Sequence, residues 1–307
     1  MQLISGTTDF ALEYETAVAI GKFDGVHVGH RQLLKEILAQ KSLGLKSCVF
    51  TFDPPPAVLF GASDGKVLTT REEKRILFEQ MGIDVLVEFP LTEKTAGIPA
   101  EDFVREYLRE RLNAKVVVAG TDLSFGAGGR GNTELLCEMA QTLDMEVKTI
   151  QKVCIDDKEV SSTLVRELVE KGESKEWERF LGMPYPIMGT VVSGNRVGRK
   201  IGFPTVNIRP EPEKLLPPKG VYRAEIISRG RKFSGISNVG YKPTVTEEKE
   251  LVVETYLYDF EEDIYGETIE IYLKEFLRAE KKFDNLEALK GQIARDIQVG
   301  KMEEKHL

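Results

Sequence analysis

The 307-residue sequence predicts an α/β domain with a mostly parallel sheet, followed by a small antiparallel β-barrel with a C-terminal helix. Three observations carry this. Up to Leu181, β-rich apolar runs alternate with segments of helical periodicity, the pattern of βα units. Gly182-Met-Pro-Tyr-Pro186 then spaces two prolines so that no helix can continue, and the boundary is placed there, giving domains of residues 1–183 and 184–307. Beyond it come six short β-like runs separated by Gly, Pro, Asn or Asp, as a small barrel requires.

In the first domain, Ala17, Val18, Ala19 and Ile20 read as a short buried strand, and what precedes them as lead-in. Residues 31–38 have apolar side chains at helical spacing. The intervening Gly21-Lys-Phe-Asp-Gly-Val-His-Val-Gly-His30 is therefore a strand-to-helix turn suited to phosphate. Gly21 and Gly25 permit tight backbone geometry, and Gly29 removes the side chain that would keep a polyphosphate from the helix start. There the first N–H groups are unpaired and the helix dipole favours an anion. His27 and His30 place two imidazoles on the same rim, able to donate hydrogen bonds to phosphoryl oxygens as charge develops. The alternative is that the glycines only turn the chain and the histidines only cap the helix. Against it, two of the three histidines in the chain sit three residues apart at this one helix start. The spacing fits neither the P-loop nor the dinucleotide fingerprint.

Residues 47–52 form a second strand that stops at Asp53-Pro-Pro-Pro56, because proline cannot continue a central strand. Ligands of open α/β sheets gather at such carboxyl ends, which singles out Asp53. Residues 71–80 follow as a helix capped near Thr70, 84–89 as a third strand, 99–112 as a helix with acidic residues at its start, and 115–119 as a fourth strand. The Gly-rich loop 120–131 is either a flexible connection or the second wall of a ligand cleft, with Asp122 and Arg130 its chemically capable members. Residues 134–143 read as helix and 147–153 as strand. Ser161, Ser162 and Thr163 precede a further helix, 164–172, either as caps or as phosphate ligands, and Arg166 one turn in could reach a phosphate.

In the second domain the β-like runs are residues 187–192, 205–208, 220–228, 232–239, 250–258 and 268–276, and 286–299 is the closing helix. Residues 194–207 are its chemical centre. Gly194, Gly198 and Gly202, with Arg196, Arg199 and Lys200, read as a positive loop around a nucleotide phosphate or as a basic hairpin turn. Thr205 and Asn207, two apart on a strand, share a face and offer neutral oxygens to a Mg²⁺ ion whose phosphates bring the negative charge. Glu254, an acid in a run of aromatics and aliphatics, is either an exposed-face residue or a general base.

The totals narrow the field. A composition of 41% hydrophobic and 30% charged residues is that of a soluble globular protein. A net charge of −8 argues against nucleic acid or an anionic membrane as partner, so an anionic ligand needs a local site. Cys48, Cys137 and Cys154 are odd in number and widely spaced, which fits reduced thiols packed in the core. The N-terminus shows no basic segment leading into an apolar run, and no stretch approaches the ~18 apolar residues that span a bilayer. A cytoplasmic protein is expected, and a homo-oligomer is compatible with the sequence.

The motifs resemble two families. The 21–30 stretch resembles the histidine-glycine-histidine signature of nucleotidyltransferases in the version found in bacterial FAD synthetases. Thr51-Phe-Asp-Pro-Pro-Pro56, Gly120-Thr-Asp-Leu-Ser-Phe-Gly126 and Ser161-Ser-Thr-Leu-Val-Arg166 resemble further elements of that family. Pro55 stands where the family often has histidine, and Leu164 where it often has arginine. Gly202-Phe-Pro-Thr-Val-Asn207, Gly220-Val-Tyr222, Asn238-Val-Gly-Tyr-Lys-Pro-Thr244, Glu254-Thr-Tyr-Leu-Tyr-Asp-Phe260, Tyr265-Gly266 and Leu277-Arg-Ala-Glu-Lys-Lys-Phe283 resemble riboflavin kinase, with Tyr256 in place of the usual histidine.

This resemblance implies a Rossmann-like nucleotidyltransferase domain joined to a riboflavin kinase barrel. The implied enzyme phosphorylates riboflavin to FMN and adenylylates FMN to FAD, with ATP as co-substrate at both sites, Mg²⁺ as cofactor, and ADP and pyrophosphate released. It makes Glu254, His27, His30 and Arg166 catalytic. Gly21, Phe23, Asp24, Gly25, Gly29, Asp53, Asp122, Ser161, Ser162 and Thr163 become binding residues of the first site. Gly198, Arg199, Lys200, Gly202, Pro204, Asn238 and Arg278 become those of the second, with Thr205 and Asn207 on the metal. Pro55 and Leu164 leave open a riboflavin kinase with a nucleotidyltransferase-like binding module. Intact Glu254, Thr205 and Asn207 speak against a flavin-responsive regulator without turnover.

Overall fold

The computed structural model describes residues 1–61, 64–193, 198, 202–243 and 249–303. They form two compact units, one of residues 1–67 and 74–162, the other of 68–73 and 163–307.

The first unit is built on a parallel sheet of β1 (Gln2–Ser5), β2 (Thr16–Ile20), β3 (Lys46–Asp53), β4 (Val85–Pro90), β5 (Ala114–Gly120) and β6 (Glu146–Ile150), ordered β1-β4-β3-β2-β5-β6. The inner strands are near-continuous apolar runs because both faces are covered. Ala17, Val18, Ala19, Val49, Phe50, Val117 and Val118 are wholly buried. Helix α1 (Val28–Ala39) crosses from β2 to β3 and buries Leu33, Leu34 and Ile37. Also present are α2 (Pro56–Leu59), α3 (Arg71–Gln80), α4 (Glu93–Ala96), α5 (Ala100–Asp102), α6 (Thr133–Thr142) and a hairpin of β7 (Cys154–Ile155) with β8 (Lys158–Glu159). From β2 the chain builds toward β3 on one side and returns on the other as β5. The loops after β2 and β5 therefore open at a topological switch point, where open α/β sheets bind ligands.

Several expectations need correction. The lead-in contains β1, an edge strand parallel to β4; four residues, two of them exposed, show too little periodicity to be recognised. Residues 99–112 are not one α-helix: α5 passes into a π-helix, Phe103–Arg111, whose wider turn buries Phe103, Val104, Tyr107 and Leu108 together. The strand expected to reach residue 153 ends at Ile150. Cys48 is buried, but Cys137 and Cys154 are exposed, the first off the Leu136–Ala140 stripe of α6 and the second on the β7–β8 hairpin.

The second unit contains α7 (Ser162–Lys171) from its second residue, α8 (Ser174–Leu181), and a closed antiparallel barrel. Its strands are β9 (Tyr185–Val192), β10 (Val206–Ile208), β11 (Gly220–Ser228), β12 (Arg231–Pro243), β13 (Lys249–Leu257) and β14 (Thr268–Ala279), closed in the order β10-β13-β12-β11-β14-β9. Compactness thus groups α7 and α8 with the barrel, whereas the sequence places the functional boundary after them. Trp177 on α8 explains the grouping, since it is fully buried with Tyr185 at 5.8 Å and Tyr222 at 6.3 Å. Along the strands side chains alternate. Tyr222, Ser237 and Thr255 are fully buried on one rung, with the two hydroxyls 2.8 Å apart. The alternate set, Glu254, Tyr256, Asn238 and Ile236, lines a cavity shared with the closing helix α9 (Leu286–Glu303).

Candidate functional site

At the switch point of the first unit the chain turns from Ile20 through residues 21–27 into α1. Phe23 and Val26 hold positive φ angles of 51° and 44°, and burial of both side chains compensates the strain. The Phe23 ring meets Phe78 edge-on at 5.7 Å and lies 5.1 Å from His30. Gly21 makes room for it, because a Cβ there would stand 3.1 Å from that ring. Loop carbonyls are tied down from several sides. Thr51 Oγ1 donates to Lys22 O at 3.3 Å, Ser162 Oγ to Asp24 O at 2.8 Å, and Arg31 Nε to Val26 O at 3.1 Å. Ser162 therefore uses its hydroxyl to fasten this loop. Ser161 is half-buried, Thr163 exposed, and Arg166 half-buried on α7.

His27 caps α1: its Nδ1 accepts from the His30 N–H at 3.3 Å, and the two rings stack with centroids 3.6 Å apart. Since Nδ1 accepts, the ring proton belongs on Nε2, which is left to donate. Burial pushes His27 down to about 4, partly opposed by the Asp122 carboxylate. Burial, then His27 and Lys74, holds His30 well below the usual imidazole range. Both rings are neutral at pH 7. The His30 Nδ1 atom is buried without a hydrogen-bond partner among the described residues. Gly29 has a role the sequence did not suggest, since a Cβ there would lie 3.2 Å from His27 Nδ1 and disturb the stack.

Asp53 ends β3, its carbonyl accepting from Leu91 N at 2.8 Å. Gly25 is buried at the turn. Asp122 and Arg130 are exposed on the loop after β5. Asp122 pairs with Lys152 at 3.6 Å, and Lys152 meets Glu159 at 2.6 Å. Sequence reasoning missed Lys152 and the buried Lys74, because each belongs to no motif and is drawn in only by folding.

In the second unit Thr205 Oγ1 donates to Glu254 Oε1 at 2.5 Å. Glu254 is flanked in the ladder by Asn207 of β10 and Asn238 of β12, which puts the three side chains on one face. Glu254 and Asn238 border a cavity of about 520 Å³ whose apolar wall includes Phe203, Tyr256, Ile236 and Phe283, and whose polar wall includes Thr205, Asn238, Glu254 and Arg278. Asn207 is 4% exposed and does not reach the wall, unlike Thr205. Gly198 does, and a Cβ on it would stand 2.3 Å from Phe203 O. Gly202 and Pro204 are exposed beside it, Gly202 with φ 89°. Asn238 Nδ2 donates to Glu280 at 3.4 Å, and Arg278 is held by Asp296. Arg196, Arg199 and Lys200 lie outside the described residues.

The FAD synthetase family model matches residues 10–164, and the riboflavin kinase family model matches residues 181–302. Proteins named bifunctional riboflavin kinase/FMN adenylyltransferase align along almost the whole chain, among them one from Listeria monocytogenes at 36% identity over 95% of this chain and 93% of its own. This chain belongs to that family. Its Escherichia coli relative of the same name is 34% identical over 96% of each chain. A solved Streptococcus pneumoniae structure described as a macrolide-efflux protein is 29% identical, with a TM-score of 0.83 over 98% of this chain and 99% of its own. No described helix here is long and apolar enough to cross a membrane. As a bifunctional riboflavin kinase/FMN adenylyltransferase family member, the chain is a transferase that carries both domains, and its family uses ATP. The alternative of a kinase domain alone is set aside, since the FAD synthetase match spans the first domain despite Pro55 and Leu164.

Proposed function

We propose that the two domains act in series on one flavin, divided functionally at residues 183 and 184. In the barrel, Glu254 accepts the proton of the riboflavin 5′-hydroxyl as that oxygen attacks the γ-phosphorus of ATP; the β–γ bridging bond breaks and ADP leaves. The Thr205 hydroxyl fixes one oxygen of Glu254, leaving Oε2 for the substrate. Thr205, Asn207 and Glu254 are all oxygen donors, the chemistry Mg²⁺ takes. Among the described residues no group of three or more His, Cys, Asp or Glu could hold a metal by itself, so phosphate oxygens would complete the shell. Thr205 and Asn207 would hold the ion, which when bound withdraws charge from the transferred phosphoryl group. Gly198, Arg199, Lys200, Gly202 and Pro204 would close around the nucleotide, and Asn238 and Arg278 would line the flavin side.

In the first domain the FMN phosphate attacks the α-phosphorus of a second ATP, the α–β bridging bond breaks, and pyrophosphate leaves. The attacking oxygen carries no proton, so the site needs donors and no base. Neutral His27, through Nε2–H, and His30 meet the developing charge at the start of α1. Gly21, Phe23, Asp24, Gly25, Asp53, Asp122, Ser161 and Thr163 would surround the nucleotide, and Arg166, assigned by its motif, the leaving pyrophosphate. Flavin is substrate and product, in a cytoplasmic protein.

The observation that carries this reading is one unit holding a stacked neutral imidazole pair while the other holds a hydrogen-bonded Thr205–Glu254 pair. Incubation with riboflavin, ATP and Mg²⁺, followed by chromatographic separation of FMN and FAD, tests it. Accumulation of FMN without FAD would remove the adenylylation step, and neither product would remove both.

A further inference from the structure

Helix α9 presents Leu289, Gln292, Ile293, Asp296, Ile297 and Gly300 to the barrel at helical spacing. Leu289 and Ile293 line the cavity, Ile297 packs on Val221, Ile236 and Tyr258, and a Cβ on Gly300 would stand 2.5 Å from the Tyr258 hydroxyl. Within this apolar stripe Asp296 is 5% exposed, a depth carboxylates reach only when paired. Its partner is Arg278. Nε donates to Asp296 Oδ1 at 2.9 Å and Oδ2 at 3.1 Å, Nη2 donates to Oδ2 at 2.6 Å, and Gln292 Nε2 adds a bond to Oδ1 at 2.8 Å.

Strand register explains how Arg278 arrives there. Tyr222 pairs with Phe276 but Val221 with Arg278, so Leu277 is the extra residue of a bulge. A bulge re-aims side chains. Leu277 joins the apolar cluster under α9, and Arg278 reaches the cavity wall. A guanidinium has five N–H groups. Asp296 takes one from Nε and one from Nη2, and Ala279 O accepts one from Nη1 at 3.0 Å. Two remain, one on each terminal nitrogen, without a partner among the described residues.

The rung runs Asn207, Glu254, Asn238, Val221, Arg278. Asn207 is next to Glu254 on one side, while Arg278 is three strands away on the other, roughly 14 Å at ordinary strand spacing. Phosphoryl transfer is in line, so donor and acceptor lie on opposite sides of the moving group. With Thr205 and Asn207 at the nucleotide, Arg278 falls on the acceptor side.

We propose that Asp296 is a positioning residue for riboflavin phosphorylation: it clamps one edge of Arg278 so that the two remaining N–H groups meet a carbonyl oxygen on the polar edge of the flavin ring. This rests on the barrel being the kinase site. A clamped guanidinium loses less rotamer freedom on binding, so the effect belongs in riboflavin affinity.

The test uses the full-length protein, with riboflavin and ATP varied separately and FMN adenylylation on the same chain as internal control. Asp296→Asn is expected to raise KM for riboflavin about tenfold while KM for ATP and kcat stay within about twofold. Asp296→Glu should recover part of the loss, and Asp296→Asn should add nothing to Arg278→Gln. Equal rises in both KM values, a fall in kcat alone, or multiplicative effects in the double variant would overturn the assignment. If Asp296→Asn unfolds the barrel, the apolar pair Arg278→Met with Asp296→Leu is measured instead. A selective rise in riboflavin KM then supports the clamp, and an unchanged one refutes it. Wild-type protein that makes no FMN would sink the kinase reading itself, separately from any effect at Asp296.

Discussion

The Thr205 hydroxyl donates to Glu254 across 2.5 Å, joining a residue just before β10 to one in the middle of β13. A carboxylate held by one oxygen cannot swing away from an incoming hydroxyl, so in the proposed kinase reaction the contact would order Glu254 as general base before substrate arrives. Glu254→Gln keeps the shape and removes the basicity, and is expected to cut FMN formation about 10²- to 10⁴-fold while FMN-to-FAD conversion continues. Thr205→Ser should keep most of the kinase activity and Thr205→Val should lose it. The two half-reactions, assayed separately with riboflavin or FMN supplied, check this; loss of both from Glu254→Gln in a folded protein would defeat the two-site assignment.

Gly198 provides a steric test of the same wall. A Cβ there would sit 2.3 Å from Phe203 O and 3.3 Å from Thr205 Oγ1. The first of these is backbone and cannot yield by rotating a side chain, so the strain passes to the segment that carries Thr205. Gly198→Ala should therefore lower riboflavin phosphorylation at least about tenfold, since misplaced groups at a reacting centre are costly. Adenylylation should be unchanged. Equal kinase rates for Gly198→Ala and wild type would show that this approach is not made in the working enzyme.

The histidine stack predicts a pH response. His27 is pushed down to about 4 and His30 well below the usual range. Between pH 6.5 and 4 the unfolded chain therefore binds protons that the folded one refuses. Stability from His27 is complete above pH 6.5 and is lost as pH falls toward 4, by about 3 kcal/mol if the whole difference is expressed. Proton NMR should show two of the three histidine signals flat from pH 8 to 5. Adenylylation should likewise show no imidazole titration between pH 6 and 8. A signal of His27 moving with a midpoint near 6.5 would contradict the buried neutral pair.

What could be read in advance was local. The 21–30 turn, the alternation around it and the six barrel runs depend on neighbouring residues, and the strands at 220–228 and 268–279 begin where their patterns begin. The histidine motif was legible, but not the reason for Gly29, which concerns the space beside a ring two residues back. β1 was hidden because its partner β4 lies about eighty residues later. Asp296 was hidden for a similar reason. Its meaning depends on a one-residue bulge in β14, and no periodicity in α9 announces that. Glu254 was legible as an acid among aromatics, while its neighbours Asn207 and Asn238 became neighbours only through register.

The buried ion pair of Lys214 with Glu73 sets a last expectation. Lys214 is 2% exposed; its Nζ donates to Glu73 Oε2 at 2.7 Å and to Leu68 O at 2.6 Å, and lies 4.4 Å from the Tyr185 ring centroid. Glu73 also accepts from Met188 N at 3.0 Å and Thr70 N at 2.9 Å, so it fastens residues 68–73 to β9. Removing one partner of a dry pair leaves a buried charge, at a cost of about 3–5 kcal/mol. Lys214→Met should therefore destabilise the second unit by that order, and Lys214→Met with Glu73→Gln should be the more stable of the two variants. The single tryptophan, Trp177, is buried in this unit and reports its unfolding in urea. Additive losses in the double variant would mean that the two residues contribute independently, and that packing around Tyr185 rather than their pairing holds residues 68–73 in place.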